Sequence, residues 1–384
     1  MSLYFQLLLF MLLRTVFNTA YRMVYPFLST FARGLGVDLG TLSVLVGLRA
    51  FLGIGVPLVS SIADHRGRKF GMLGGIVLFG LGMALFTFFP SLLTFAFALL
   101  LGLIGKYLFD PSMQAYLGDR VSYARRGLAL AITEIGWSLA FILGIPFMSW
   151  MITRFGWKAP FPFLLVTAVG MFLAVFLLIS NRDAHHRPSE HPWAHFSHVL
   201  RDVPTLAAIS IATWASAANE LVNLIFGVWL EETFHLQILA LGAASAVIGL
   251  SELGGEGLVA LITDRIGKPR ALMLGLIGNI LAALALPILG RTQNGALIGL
   301  FFFYITFEYV MVSHVPLMTE MRPDARATTM AFNLSGHSIG RALGAFLSTW
   351  IYYRWGFGLV TLMAALFNLF ALLALRRVQA SNRV

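Results

Sequence analysis

The sequence predicts an all-α membrane protein: twelve transmembrane helices in two pseudo-symmetric sets of six. Three observations lead there. The 384-residue chain is 58% hydrophobic and only 11% charged, with a mean hydropathy of +0.82, whereas a soluble domain carries about a quarter charged residues. Its apolar residues fall into stretches of roughly 20, the length a helix needs to cross the hydrocarbon core. The chain also repeats itself at an offset of 200 residues. Asp64 and Gly67 answer to Asp264 and Gly267, and Arg126, Gly136, Gly144 and Trp150 to Arg326, Gly336, Gly344 and Trp350. Arg154-Phe155-Gly156-Trp157 answers to Arg354-Trp355-Gly356-Phe357. Self-similarity of this kind marks a duplicated unit.

The spans fall near 4–30, 40–63, 70–89, 92–118, 127–150, 160–180, 204–230, 238–262, 271–290, 295–318, 328–351 and 357–375. Pro90, Pro160, Pro204, Pro323 and Gly356 punctuate them, where helices start or stop. Met1 to Phe10 runs into the first span without a small-residue cleavage site, which reads as a retained span and not a removed signal peptide. Residues 182–203 form the one long polar connection, between a first half, 1–181, and a second, 204–384. Within it Ser189 is placed to cap a short helix from Pro192, with Trp193, Phe196, Leu200 and Val203 on one amphipathic face. His191, His195 and His198 have helical ligand spacing, with His185 and His186 nearby. No acidic or thiol partner completes a zinc set, so the stretch reads as a solvated linker and no metal is expected.

Loop charge gives the orientation. Arg66, Arg68, Lys69, Arg120, Arg125, Arg126, Arg182, Arg187, Arg201, Arg265, Lys268, Arg270, Arg322, Arg326, Arg376, Arg377 and Arg383 gather on one side, with Arg33, Arg154, Lys158, Arg291 and Arg354 on the other. The positive side is cytoplasmic, which places both termini there. The formal net charge of +10 is thus a topology signal, not a sign of nucleic acid. The chain has no cysteine, so no disulfide or thiol chemistry is available to it.

Asp64-His65-Arg66-Gly67-Arg68-Lys69, between the second and third spans, reads Asp-x-x-Gly-Arg-Lys. It resembles the signature loop of the major facilitator superfamily; Ser60, and Ala260 in the second copy, stand where that loop opens with Gly. Through the repeat and the span count the resemblance covers essentially the whole chain. It implies two six-helix bundles around a central substrate cavity, working by alternating access as a monomer in a bacterial-type inner membrane. Its drug–proton antiporters carry Gly-x-x-x-Gly-Pro-x-x-Gly-Gly in span 5. Here Gly144 keeps its place, Ala140, Ile145, Met148 and Ser149 occupy the other fixed positions, and Pro146 comes one residue late.

No Gly-x-x-x-x-Gly-Lys-Ser/Thr loop occurs, which excludes the usual ATP-driven chemistry. Gly34-Leu35-Gly36 and Gly254-Gly255-Glu256-Gly257 follow no strand and read as helix-packing glycines, not dinucleotide fingerprints. Neither an enzyme nor a cofactor is expected. The informative residues are polar ones within spans, which are costly in lipid and so mark candidate sites. Arg14, Asn18, Tyr21, Arg22 and Tyr25 share one face of span 1. Lys106, Asp110 and Gln114 form a stripe on span 4, Ser216, Glu220 and Asn223 on span 7, and Tyr304, Glu308 and His314 on span 10. The family sets these four spans around its cavity, so the stripes are its expected lining. Pairing of the charges to hold helices together is the alternative reading.

For proton coupling the candidates are Glu134, Glu220, Glu252, Glu256, His337 and Arg341. Glu252 and Glu256 lie four apart, and two carboxylates this close in a low-dielectric site do not readily ionise together. That suits a proton carrier; pairing with Arg341 is the alternative. For gating, the resemblance sets Asp64 opposite the start of span 11 at Thr328 and Arg68 or Lys69 against Asp119, with Gly67, Asp264 and Gly267 completing the two loops. Arg14, Arg22, Arg49 and Lys106 outweigh Asp110 and Glu134 in the first half, while Glu220, Glu252, Glu256 and Glu308 outweigh Arg341 in the second. The expected function is secondary active transport by alternating access: proton-coupled export of amphiphilic small molecules. Import of an organic anion or zwitterion, and flipping of a lipid headgroup, are the alternatives.

Overall fold

The computed structural model of the chain describes residues 3–55, 67–121, 123–179, 199, 201–322 and 326–381. Among them no strand occurs, and fourteen long helices carry the fold: α1 Leu3–Arg22, α2 Leu28–Leu35, α3 Leu39–Phe51, α4 Arg68–Phe88, α5 Leu92–Arg120, α6 Tyr123–Leu139, α7 Ile145–Phe155, α8 Pro160–Leu178, α9 Val203–Phe234, α10 Ile238–Leu258, α11 Lys268–Leu289, α12 Gln293–Met321, α13 Arg326–Trp355 and α14 Phe357–Ser381. Among the described residues, ten helical spans have the length and apolarity to cross a membrane, while α2 and α3 meet at a bend of 114°. Helix α13, 30 residues long, is a further candidate that carries Arg326, Asn333, His337 and Arg341. The chain is a multi-pass membrane protein. Asp64 and nearly all of the expected linker helix with its histidines lie outside the described residues.

Two departures from the expected spans have local causes. The first span is not continuous over 4–30, because α1 stops at Arg22 and α2 starts at Leu28. Pro26 lacks the amide that would bond back to Arg22 and disfavours helix at Tyr25. The fifth span carries a π segment, Ala140–Gly144, between α6 and α7. Pro146 has no donor for the carbonyl of Ile142, and a widened turn absorbs the gap.

The duplication is written into the backbone. Gly67 (φ 95°) and Gly267 (φ 84°) precede α4 and α11, and Gly156 (φ 89°) and Gly356 (φ 82°) follow α7 and α13. Side chains resist these conformations, so each turn demands glycine at the same place in both copies.

The described helices group into two compact units that do not follow the two sequence halves. One comprises Met1–Val37, Gly55–Pro188 and Gln237–Gly249. Lipid offers no hydrophobic drive between helices, so close packing and interhelical hydrogen bonds must hold them. In this unit α4 and α5 cross backbone to backbone. A Cβ on Gly75 would lie 2.5 Å from the Gly105 carbonyl, and one on Gly105 2.4 Å from that of Gly75. Phe31 and Phe86 pack on Trp157, and Phe95 and Phe161 pack on both of them. The start of α10 closes on α7, where Ser149 Oγ donates to the Ile238 carbonyl at 2.6 Å.

The other unit comprises Asp38–Ile54, Ser189–Leu236 and Leu250–Val384. Here α3 lies on α13, with Gly47 against the Phe346 ring and the hydroxyls of Ser43 and Thr349 hydrogen-bonded. Buried Asn279 on α11 donates to the Phe303 carbonyl (2.7 Å) and Thr306 Oγ1 (2.9 Å) of α12 and accepts from Asn368 of α14 (2.7 Å). Gly336, Gly340 and Gly344 bring α13 against α9, and a Cβ on Gly340 would lie 2.1 Å from the Thr213 carbonyl. Gly340→Ala is therefore expected to cost about 1–3 kcal/mol, the range for overpacking. Gly170→Ala, with nothing within 4 Å of its Cβ, is the neutral control. Equal thermal midpoints for the two variants in detergent would refute the packing described.

Candidate functional site

In the first unit three helices bring four charges together. Arg14 of α1 reaches Asp110 of α5 (Nε to Oδ1, 3.3 Å) and Glu134 of α6 (Nη1 to Oε1, 2.7 Å). Lys106 pairs with Asp110 one turn away on α5, and Gln114 Nε2 donates to Glu134 Oε1 at 3.4 Å. The helical period sets 106, 110 and 114 on one face of α5. Gly136 lets α6 approach α1, because a Cβ there would meet the Met11 carbonyl at 2.7 Å and Arg14 Cβ at 3.2 Å. The cluster is uneven in exposure: the Arg14 side chain is 5% exposed, that of Glu134 43%.

The rest of the α1 stripe also turns to α6. Asn18 is buried and donates to the Gly136 carbonyl at 3.1 Å. Arg22 donates to the Trp137 carbonyl at 3.1 Å, with its guanidinium 4.1 Å from the Trp137 ring and 3.7 Å from that of Phe141. Tyr21 lies beside Trp137 and Tyr25, and Tyr25 follows the end of α1 in the turn made by Pro26. Two cations and two carboxylates thus balance in the quartet, and Arg22 is held by aromatic faces and a carbonyl dipole.

In the second unit, buried Glu220 of α9 accepts from Asn223 Nδ2 at 3.4 Å, and Tyr304 of α12 donates to Asn223 Oδ1 at 2.9 Å. His337 of α13 hydrogen-bonds Ser216 Oγ at 2.8 Å, with Asn333 at 3.5 Å. Its ring lies 6.5 Å from that of His314, which bonds the Ala208 carbonyl at 3.0 Å. Gly255 brings α10, bearing Glu252 and Glu256, onto α12 at Glu308, whose Cβ a methyl at 255 would meet at 2.8 Å. Glu252 is buried, and Arg341 lies on α13 in the same unit.

At the loop ends, Arg68 pairs with Asp119 at 3.6 Å. Lys69 donates instead to the Phe176 carbonyl at 2.7 Å. In the second copy Gly267 holds the expected turn, Asp264 opens a short helical turn before it, and Lys268 pairs with Glu320. Three contributors escaped the sequence reading. Glu320 carried a usable signal, since the 200-residue offset sets it beside the counterpart of Asp119. Trp137 and Phe141 carried none, because aromatics in a span read as packing or lipid-facing residues until a cation is seen against them. Arg49 also changes place: it follows the first sequence half but sits, with Asp38–Ile54, in the second unit. The charge contrast between the halves is therefore weaker between the units.

The sequence model of the family described as Major Facilitator Superfamily matches residues 10–321. An uncharacterized MFS-type transporter, YwfA, of Bacillus subtilis (strain 168) is 24% identical, over 89% of this chain and 84% of its own. A probable sugar efflux transporter of Pasteurella multocida (strain Pm70) is 25% identical, over 95% of this chain and 89% of its own. Among solved structures, a bacterial homolog to the human lysosomal transporter Spinster, inward-facing and unoccupied, has a TM-score of 0.78 at 14% identity, covering 97% of each chain. That likeness is one of fold.

Proposed function

Because the chain belongs to the Major Facilitator Superfamily, we propose that it is a proton-coupled secondary transporter exporting amphiphilic small molecules by alternating access. The observation that carries this reading is the Arg14–Asp110–Glu134–Lys106 quartet. Isolated charges are expensive in a bilayer, and a quartet with one half-exposed carboxylate can exchange a proton where water reaches it. Protonating Glu134 removes one of the two anions that hold Arg14, so proton binding alters the link between α1 and α6. The stripes on α1, α5, α9 and α12 supply the substrate contacts, and Glu220, Glu252, Glu256, His337 and Arg341 the remaining coupling groups. The loop pairs Arg68–Asp119 and Lys268–Glu320 act with Asp64 and Asp264 as gating contacts. The protein works as a monomer in a bacterial inner membrane, with both termini cytoplasmic by its loop charges. The efflux activity in the name of the Pasteurella relative supports the outward direction.

Import of an organic anion or zwitterion is the second reading, favoured by Arg22 set between Trp137 and Phe141. Proteoliposomes under an imposed pH gradient separate the two. Amphiphilic cations should move against the proton flow and lose that movement when the gradient is collapsed. Gradient-driven uptake of organic anions in the direction of proton flow supports the second reading, and flux indifferent to the gradient overturns proton coupling.

A further inference from the structure

A groove of about 610 Å³ opens between the start of α3 and the end of α13. By chain order this is the end of each helix away from the Gly67 and Gly267 turns. The α3 side contributes Asp38 and the α13 side Arg354, while Phe346 and Trp350 line the apolar part. Ser43 and Thr349, both buried and bonded to each other, also line it. Asp38 is the N-cap of α3 and accepts from the Thr41 amide at 2.9 Å and the Thr41 hydroxyl at 2.6 Å. Those bonds hold its carboxyl below the usual carboxylate range, so it stays charged, and as an exposed group it keeps room for a further donor. Tyr353 lines the groove while its hydroxyl donates to Glu232 at 3.4 Å, beside that of Tyr352 at 2.7 Å.

The groove runs into a lipid-type surface. Val44, Leu48 and Phe51 are 45%, 50% and 42% exposed, and their spacing places them on one face of α3. Trp350 and Tyr353 are 61% and 55% exposed, as aromatics are at the membrane–water interface. One side chain of each sign in a single groove, continuous with an apolar stripe, matches a molecule with both charges on its head and a hydrocarbon tail. We propose that this groove binds a zwitterionic phospholipid of the surrounding bilayer, one whose headgroup joins a primary ammonium to a phosphodiester. The ammonium meets Asp38, the phosphodiester meets Arg354, and an acyl chain follows Val44, Leu48 and Phe51.

Native mass spectrometry of the full chain, given equal phosphatidylethanolamine and phosphatidylglycerol with identical acyl chains, tests this directly. The wild type should retain the ethanolamine lipid about fivefold over the glycerol lipid, the discrimination an exposed charge pair provides. Asp38→Asn preserves the cap, since Asn caps as well as Asp, and should reduce the preference, as should Arg354→Gln. The double variant should retain the two lipids equally while melting at the wild-type temperature. Excess soluble glycerophosphoethanolamine should not displace the bound lipid. Equal retention by the wild type, a preference for the glycerol lipid, an unchanged preference in the folded double variant, or displacement by the soluble headgroup each overturns the proposal. No transport is measured, so failure here leaves the transport reading standing, and the reverse holds.

Discussion

Asp110→Asn is expected to destabilise the protein by about 3–5 kcal/mol, the cost of leaving a buried cation without its partner. Asp110 is the hub of the quartet, pairing with Arg14 on α1 and with Lys106 on its own helix. Its loss sets two cations near each other with only Glu134 remaining, and Glu134 is the more exposed carboxylate. The double replacement Arg14→Gln with Glu134→Gln should be milder than the sum of its single changes, because it removes a pair and leaves Lys106–Asp110 intact. Thermal and denaturant unfolding in one detergent would give both values. A midpoint for Asp110→Asn within about 0.5 kcal/mol of wild type, as for an ordinary surface change, would show that water already satisfies these charges.

The second large effect is on coupling. Glu220→Gln, Glu252→Gln and Glu256→Gln each keep the shape of the side chain and remove its ability to carry a proton. At least one of them is expected to lower pH-driven flux to that of protein-free liposomes, while exchange of substrate without a gradient persists. Glu220 is buried on α9 within reach of Asn223, which Tyr304 also engages; Glu252 and Glu256 share a face of α10, whose Gly255 rests on α12. If all three variants transport at the wild-type rate with the wild-type pH profile, the carrier is elsewhere and Glu134 becomes the first group to test.

Much of this was legible in the sequence, because membrane helices announce themselves by length and apolarity and a duplication by its offset. The turns at Gly67, Gly156, Gly267 and Gly356 follow from that offset and from the intolerance of side chains for their backbone angles. Charges in spans were equally visible as unusual residues. Their partners were not, because Arg14 could have met any acid on a neighbouring helix, and only the close approach at Gly136 decides that Glu134 is within reach. Lys69 shows the same limit: its charge suggested Asp119, but its long side chain finds a carbonyl on α8. The membership of α3 was hidden for a different reason. Its contacts with α13 are small residues and hydroxyls, Gly47 and Ser43, which carry no pattern that distinguishes one neighbour from another.

That seam has a mechanical meaning. If the two sequence halves rock as the proposed alternating access requires, α3 leaves α13 and the start of α10 leaves α7. Among the contacts that would part are a glycine resting on a ring, a hydroxyl pair and a serine–carbonyl bond, each hydrogen bond worth about 0.5–1.5 kcal/mol net. A hydroxyl that loses its partner can bond the carbonyl one turn back in its own helix, as Ser43 already does with Leu39. On that reading the hydroxyl and glycine contacts named here act as press-studs, which part and re-form at little cost.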